Sequence, residues 1–246
     1  MAIRPQEIIA HRGFSAIAPE NTLAAFQLAI DYGADSIEFD LQLSADQVPV
    51  IFHDQTLDRI TGSPGTVRDK TVAELKQLDG GTWFSPDFLG ESIPTLGEAL
   101  PIFKQVKQSI YFDVKPHAIW PDQAVKELLQ TLQTADLMQR CIMTAFDERF
   151  LHQVRQLCPD IAIGYFLVES ADYSVQLEKA ATAGNAILSS LFPVLLENPE
   201  MVKICRNHQV DLVAWTVDSP TDLEKLLAIH VGRIITNSLI ASSCQF

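Results

Sequence analysis

Short apolar runs recur along the chain at intervals that suit strands separated by helices. They predict eight strands, near residues 7–11, 36–42, 109–115, 140–146, 161–167, 186–190, 211–217 and 233–237. Helices are expected between them, near residues 20–32, 94–106, 121–134, 147–157, 173–183, 199–208 and 220–229. Strands that alternate with helices favour a parallel sheet, and eight strands in 246 residues suit a (β/α)₈ TIM barrel.

A segment from about residue 54 to residue 92 interrupts this alternation between the second strand and its helix. Turn residues such as Gly80-Gly81 divide it, and Val72–Leu78 suits a short helix. We expect an insertion that either covers part of a functional site or only packs its aromatic residues on the barrel rim. No linker or repeat divides the chain elsewhere, so residues 1–246 are predicted to form a single domain.

The second predicted strand has one apolar and one polar face. Side chains alternate between the faces of a strand, so Glu38, Asp40 and Gln42 share the face opposite Ile37 and Phe39. Two buried carboxylates at this spacing repel each other, and a divalent cation with oxygen ligands, Mg²⁺ or Ca²⁺, would remove that cost. The alternative is the solvated face of an edge strand.

Two histidines follow apolar runs in the same part of the chain. His11 ends the first predicted strand, and His53 follows the run from residue 48 to residue 52. The C-terminal ends of strands are where α/β barrels place their chemistry, so the pair predicts a general acid and a general base. Arg12 offers a planar fork that suits a phosphate oxygen, although a surface ion pair would use it equally well.

These pieces together carry a family resemblance. The segments HRG, APENTLAAFQLAIDYGAD, IEFDLQLSAD and VPVIFHDQTLDRITG, in this order and spacing, resemble the glycerophosphodiester phosphodiesterase family. The resemblance continues into IPTLGEAL, YFDVK, VAWTVD and IITN, so it covers nearly the whole chain.

The resemblance implies metal-dependent hydrolysis of glycerophosphodiesters, such as glycerophosphocholine or glycerophosphoethanolamine, to glycerol 3-phosphate and an alcohol. It implies that His11 and His53 are the acid/base pair, in an order that stays open. The nucleophile would be water or a neighbouring hydroxyl of the substrate. The implied metal ligands are Glu38, Asp40 and Asp113, and the implied phosphate and substrate contacts are Arg12, Lys115 and Trp215.

Three departures from the family pattern lie in its later motifs, and Ser44 and Gln47 are further changes, in a turn. Asp113 stands where the family usually has Glu, one methylene longer, so it would ligate the metal directly or through a water. Ala145 replaces the serine of a Ser-Phe motif. Asn237 stands where the family often has Asp, and we assign it no role.

The net charge of −13 argues against nucleic acid or an anionic membrane surface as a main partner. An anionic substrate would be repelled unless a metal and a few basic residues dominate the site.

The four cysteines are scattered without a Cys-x-x-Cys pair, which favours reduced thiols. With no apparent signal peptide or membrane span, we expect a cytoplasmic enzyme without stable membrane association. The 47% apolar content slightly favours a homo-oligomer.

Three alternatives compete with this activity. A related barrel enzyme could act on lysophospholipids or inositol phosphodiesters. A catalytically inactive member could bind a phosphodiester as a sensor, although the presence of both histidines and both carboxylates of the second strand argues against this. A barrel lyase or isomerase of phosphorylated small molecules would need no histidine pair and could use Lys115.

Overall fold

Parallel strands close into a barrel in the computed structural model, which describes residues 5–117 and 119–239. The strands are Glu7–His11 (β1), Ser36–Leu43 (β2), Pro49–Ile51 (β3), Ile110–Val114 (β4), Cys141–Ala145 (β5), Ala162–Leu167 (β6), Ala186–Leu191 (β7), Asp211–Trp215 (β8) and Arg233–Thr236 (β9). All except β3 pair in parallel, and the ring closes where β1 pairs with both β2 and β9. The predicted (β/α)₈ TIM barrel is confirmed, and its eight strands lie where the apolar runs placed them.

Helices connect the barrel strands close to the predicted positions. They are Leu23–Asp31 (α1), Asp58–Thr61 (α2), Val72–Leu75 (α3), Leu96–Phe103 (α4), Asp122–Thr134 (α5), Glu148–Leu157 (α6), Tyr173–Ala183 (α7), Phe192–Glu197 (α8), Pro199–Asn207 (α9) and Pro220–Ala228 (α10). Short 3₁₀ turns lie at Val67–Asp69, Pro86–Phe88, Met138–Arg140 and Ser170–Asp172. Of these helices, α2 and α8 were not predicted.

The first helix begins three residues later than expected. Asn21 has a left-handed backbone with φ of 60°, which a helix cannot continue. Thr22 is the N-cap, and its side chain accepts a hydrogen bond from the backbone N–H of Ala25. Glu20 and Asn21 therefore belong to the loop after β1.

A hairpin corrects the expected position of His53. Strand β3 runs antiparallel to β2, with Leu41 opposite Ile51, so it does not belong to the barrel ring. The chain passes beyond the barrel on β2, turns and comes back along β3. The backbone N–H of Phe52 then donates to the backbone carbonyl oxygen of Asp40. His53 thus reaches the level of Asp40 from a returning hairpin strand and not from the end of a barrel strand.

The insertion after the second barrel strand is present and includes this hairpin. It occupies residues 44–95, between β2 and α4, and so begins earlier than residue 54. It has a small hydrophobic core of its own, formed by Val50, Phe52, Leu57, Ile60, Val67, Leu75 and Ile93. Within the insertion, the guanidinium of Arg59 lies 5.9 Å from the ring centroid of Trp83.

Strand β2 has a barrel strand on each side, and this rules out the edge-strand alternative. Its eight residues are all buried, because β1 and β4 flank it and helices cover its outer face. The outward-facing Phe39 packs against Phe26, Phe103 and Phe112, with ring centroids 4.6 to 6.1 Å apart. The opposite face of β2 lies inside the barrel and carries the predicted carboxylates.

An apolar layer fills the barrel interior below those carboxylates. It consists of Ile9, Tyr111, Ile142, Ile187, Val213 and Ile235. At the N-terminal end, buried Glu7 accepts a hydrogen bond from the Tyr111 hydroxyl and pairs with Arg233. The barrel is therefore packed below the site and not an open pore.

No helix of the described residues is long and apolar enough to cross a membrane. Cys141, Cys158 and Cys205 are free thiols in the described part of the chain, and Cys244 lies outside it.

We expect Phe39→Ala to lower the free energy of unfolding by about 3–5 kcal/mol, because it removes a fully buried ring from the aromatic cluster. Leu89→Ala, at a side chain that is 76% exposed, should change it by less than about 0.5 kcal/mol. Denaturant unfolding of both variants is the measurement. Equal stability of the two would contradict the packing described for β2.

Candidate active site

Three carboxylates meet at the C-terminal end of the barrel. Glu38 and Asp40 lie on β2, and Asp113 lies beside Asp40 on β4, where their Cα atoms are register partners. One oxygen from each of the three side chains lies within 4.8 Å of the others. The parallel register of neighbouring strands thus brings together residues that are far apart in the sequence.

Two cations and an amide hold two of these carboxylates, Asp40 and Asp113. Lys115 Nζ lies 2.6 Å from an oxygen of Asp40 and 2.6 Å from one of Asp113. Arg12 Nε lies 3.1 Å from Asp40 Oδ2, and the Asn21 amide donates to the same oxygen at 2.7 Å. Arg12 and Lys115 therefore reach the predicted site, but as partners of its carboxylates.

The three carboxyl groups differ in their affinity for protons. Burial and the neighbouring Asp40 and Asp113 raise the pKa of Glu38 well above its usual value, and burial also raises the pKa of Asp113. Burial opposes ionisation of Asp40 as well, but Lys115 and Arg12 hold its pKa below the usual value. Lys115 and Arg12 thus stabilise the negative charge of Asp40 better than that of Glu38 or Asp113.

The cluster fits a divalent cation. Mg²⁺ and Ca²⁺ bind oxygens at about 2.0–2.6 Å, so two ligands on opposite sides of the ion lie about 4–5 Å apart. The separations of up to 4.8 Å fall in this range. Asp113 Oδ1 is buried and has no hydrogen-bond partner among the described residues, as expected for an oxygen that has a ligand role. The shorter side chain of Asp113 is thus within reach of direct ligation.

His11 lies next to the cluster with both ring nitrogens in contact. Its Nε2 is 3.9 Å from Glu38 Oε2, and its Nδ1 is 2.6 Å from the side-chain oxygen of Asn237. Burial, and then the nearby Arg12 cation, lower the pKa of His11 to about 4. The imidazole is therefore neutral at pH 7.

His53 is held by a carboxylate. Its Nδ1 lies 2.6 Å from Asp54 Oδ1, and the Asp54 carboxylate also accepts hydrogen bonds from Arg59. Burial disfavours the Asp54 charge, but the hydrogen bonds from Arg59 and His53 lower its pKa to about 2. The Gln42 amide fixes the backbone here, because it lies within 3.2 Å of the carbonyl oxygens of residues 52, 53 and 54.

Glu20 links the surroundings of the two histidines. It accepts hydrogen bonds from Arg59 at 2.7 Å and from Arg12 at 2.8 Å. Arg59 in turn binds Asp54, and Arg12 contacts Asp40. A continuous series of ion pairs therefore runs from the carboxylate cluster to the group that orients His53.

A cavity of ≈ 160 Å³ opens between two unlike walls. One wall carries the charged and titratable side chains of His11, Arg12, Glu38, His53, Asp113 and Lys115. The other is mostly apolar and aromatic, with Tyr111, Thr144, Phe146, Phe166, Ser189, Trp215 and Ile235. Each predicted site residue except Asp40 lines the cavity, and Asp40 is buried directly behind it. The site can thus hold a small molecule with an anionic and an apolar part.

Several residues of the site were not predicted. Gln42 shares a strand face with the carboxylates, and Asp54 adjoins His53. These positions in the sequence could have indicated that both residues belong to the site. Glu20 was expected in the first turn of a helix. Asn237 follows the last strand, which pairs with β1, and this adjacency was the signal that could have placed it beside His11.

Nearly the whole chain is similar to known proteins. Residues 11–241 match the model of the glycerophosphoryl diester phosphodiesterase family. A glycerophosphodiester phosphodiesterase of Caldanaerobacter subterraneus is 34% identical over 235 residues, covering 94% of this chain and 93% of the relative. A glycerophosphodiester phosphodiesterase of Bacillus subtilis is 31% identical over 244 residues, covering 93% of this chain and 82% of the relative.

A solved structure shares the architecture. The Oleispira antarctica phosphodiesterase, in complex with the product sn-glycerol-3-phosphate, superposes with a TM-score of 0.89 at 29% identity. The match covers 97% of this chain and 96% of that one.

We expect Mg²⁺ or Ca²⁺ to raise the thermal midpoint of the metal-free protein. A free cation concentration of about 100 times Kd adds about 2.7 kcal/mol to the free energy of unfolding. For a chain of this size, this raises the thermal midpoint by about 5–10 °C. The raised pKa values of Glu38 and Asp113 mean that protons compete with the ion as the pH falls. The shift should therefore be larger at about pH 8 than at about pH 5.5.

Glu38→Gln should abolish this shift, whereas Glu200→Gln, the same change at an exposed side chain, should leave it intact. A full cation-induced shift in Glu38→Gln would show that the ion binds elsewhere. Thermal unfolding monitored by circular dichroism, with and without chelator, is the measurement.

Proposed function

The chain belongs to the glycerophosphoryl diester phosphodiesterase family and is a glycerophosphodiester phosphodiesterase, and from this premise we propose that it acts on small glycerophosphodiesters in a cation-dependent reaction. Substrates such as glycerophosphocholine or glycerophosphoethanolamine would yield glycerol 3-phosphate and the free alcohol. The glycerol-3-phosphate complex of the similar Oleispira enzyme supports this product.

One observation carries the proposal, which is that two histidines line the same cavity as a three-carboxylate cluster, of which Glu38 and Asp113 reach the cavity wall. Glu38, Asp40 and Asp113 would hold the divalent cation, which when bound neutralises charge on a phosphate oxygen and orients the ester. Arg12 and Lys115 offset part of the negative charge of the carboxylates, and we infer that they add positive potential at the phosphate.

The partners of the two histidines support different roles. His11 is neutral and faces an uncharged amide, so its Nε2 would accept a proton from the nucleophile. His53 contacts the Asp54 carboxylate through Nδ1, which leaves its Nε2 for the substrate, and we assign it the donation of a proton to the leaving alkoxide. The nucleophile is either water or a neighbouring hydroxyl of the substrate.

The aromatic wall would receive the carbon skeleton of the substrate. Phe146 and Phe166 stack with centroids 4.3 Å apart, and Trp215 meets Phe166 edge to face. The Trp215 Nε1 donor is buried without a partner among the described residues, so we infer that it donates to a substrate hydroxyl. The small cavity favours short soluble diesters over lysophospholipids.

The family match over residues 11–241 supports a single domain that includes the insertion. The negative net charge supports a small molecule, and not nucleic acid, as the partner. Cytoplasmic location and self-association stay predictions from the sequence.

Release of glycerol 3-phosphate from glycerophosphocholine tests the proposal. His11→Gln and His53→Gln should each lower kcat/KM by about 10²–10⁴-fold, because each removes a proton-transfer group. His152→Gln, at an exposed position on α6, is the matched control and should keep wild-type activity. Full activity in either of the first two variants would contradict the assigned histidine pair.

A glycerophosphodiester of 4-nitrophenol separates the two roles, because this alcohol leaves as a stable anion and needs no general acid. We expect His53→Gln to recover most of its activity on this substrate, while His11→Gln stays impaired. The reverse result would exchange the roles of acid and base.

A further inference from the structure

Asn237 and Asp218 form a hydrogen-bonded pair next to His11. Besides its contact with His11, Asn237 donates from its side-chain Nδ2 to Asp218 Oδ2 at 2.6 Å and from its backbone N–H to Asp218 Oδ1 at 2.7 Å. The hydroxyl of Thr236 also donates to Asp218 Oδ1, at 2.9 Å. Asp218 follows β8, Asn237 follows β9 and His11 ends β1, so three neighbouring strands contribute one side chain each.

The pair fixes the direction of the Asn237 amide. The hydroxyls of Thr236 and Ser238 and two N–H groups of Asn237 donate to Asp218, and an ionised carboxylate can only accept hydrogen bonds. Asn237 must therefore turn its NH₂ group towards Asp218 and its oxygen towards His11. Since that oxygen can only accept, the 2.6 Å contact requires the proton of a neutral His11 to be on Nδ1.

We propose that Asn237 and Asp218 are positioning residues, which hold His11 in the tautomer with the proton on Nδ1 and keep Nε2 free to accept a proton. This inference rests on the proposed role of His11 as general base. Ser15 reinforces the arrangement, because its hydroxyl lies 2.8 Å from both the Asn237 oxygen and the His11 carbonyl oxygen and donates its one proton to either.

The family-like Asp at position 237 would accept from His11 equally well but would repel Asp218. In this chain the carboxylate of Asp218 does not contact the imidazole directly. The Asn237 amide lies between them, and Asp218 fixes which end of that amide faces His11. The substitution noted in the sequence is therefore matched by an acceptor on the neighbouring strand. This gives a test in which the two groups are exchanged.

Asp218→Asn should reverse the tautomer. The new amide can present its oxygen to the backbone N–H of Asn237, but its NH₂ then faces the NH₂ of Asn237. Asn237 relieves this by flipping, which turns its own NH₂ towards His11 Nδ1 and moves the imidazole proton to Nε2. We expect kcat to fall about 10–100-fold, with KM changed less than about threefold.

The double variant Asp218→Asn/Asn237→Asp should restore the wild-type tautomer and most of kcat, because the new aspartate accepts from both His11 and the new asparagine. Asp222→Asn is the matched control, the same change at an acid paired with Lys225 on α10, and should be unaffected. Asn237→Leu, which removes both amide contacts, gives a second variant if Asp218→Asn does not fold, and it should lower kcat in the same way.

The readout that does not depend on activity is the ¹⁵N NMR signature of the His11 ring in the full chain, assigned with His11→Gln. We expect Nδ1–H in the wild type and the double variant, and Nε2–H in Asp218→Asn. An unchanged tautomer and kcat in Asp218→Asn, with His11→Gln inactive, would overturn the positioning role alone. A reversed tautomer with unchanged kcat would contradict the proposed role of His11 as the general base, on which this inference rests.

Discussion

The site depends on three carboxylates that the barrel buries side by side. Two like charges about 4 Å apart repel by about 4 kcal/mol at the effective dielectric of a protein surface. Lys115 and Arg12 offset part of this repulsion, but Arg12 is shared with Glu20. The local excess of negative charge favours a divalent cation, which would let a protein with a net charge of −13 take up an anionic ester.

The same charges organise the groups around them. Glu20 joins Arg12 to Arg59, and Arg59 holds the carboxylate that orients His53. On the same wall of the cavity, His11 contacts a neutral amide whose carboxylate partner lies behind it. The two histidines thus meet surroundings of different charge, and the separate roles proposed for them rest on this difference.

The sequence predicted what is local to a strand. The barrel strands, the inward face of β2 and the histidines near strand ends follow from alternation and from residue type, and family resemblance added Asp113, Lys115 and Trp215. Contacts across the barrel were beyond this reasoning. His11 and Asn237 are 226 residues apart, and an asparagine in place of an aspartate looks like a lost charge until its neighbour Asp218 is known. The returning hairpin that carries His53 was missed because a three-residue strand is shorter than a clear alternation.

Crystals of the protein soaked with Mn²⁺ would test the central claim that these three carboxylates form one cation site. The account predicts a single strong anomalous peak in the cavity, with an oxygen of Glu38, Asp40 and Asp113 each about 2.0–2.6 Å from it. A peak that leaves out Asp113, or the absence of any peak while Lys115 still bridges Asp40 and Asp113, would contradict it.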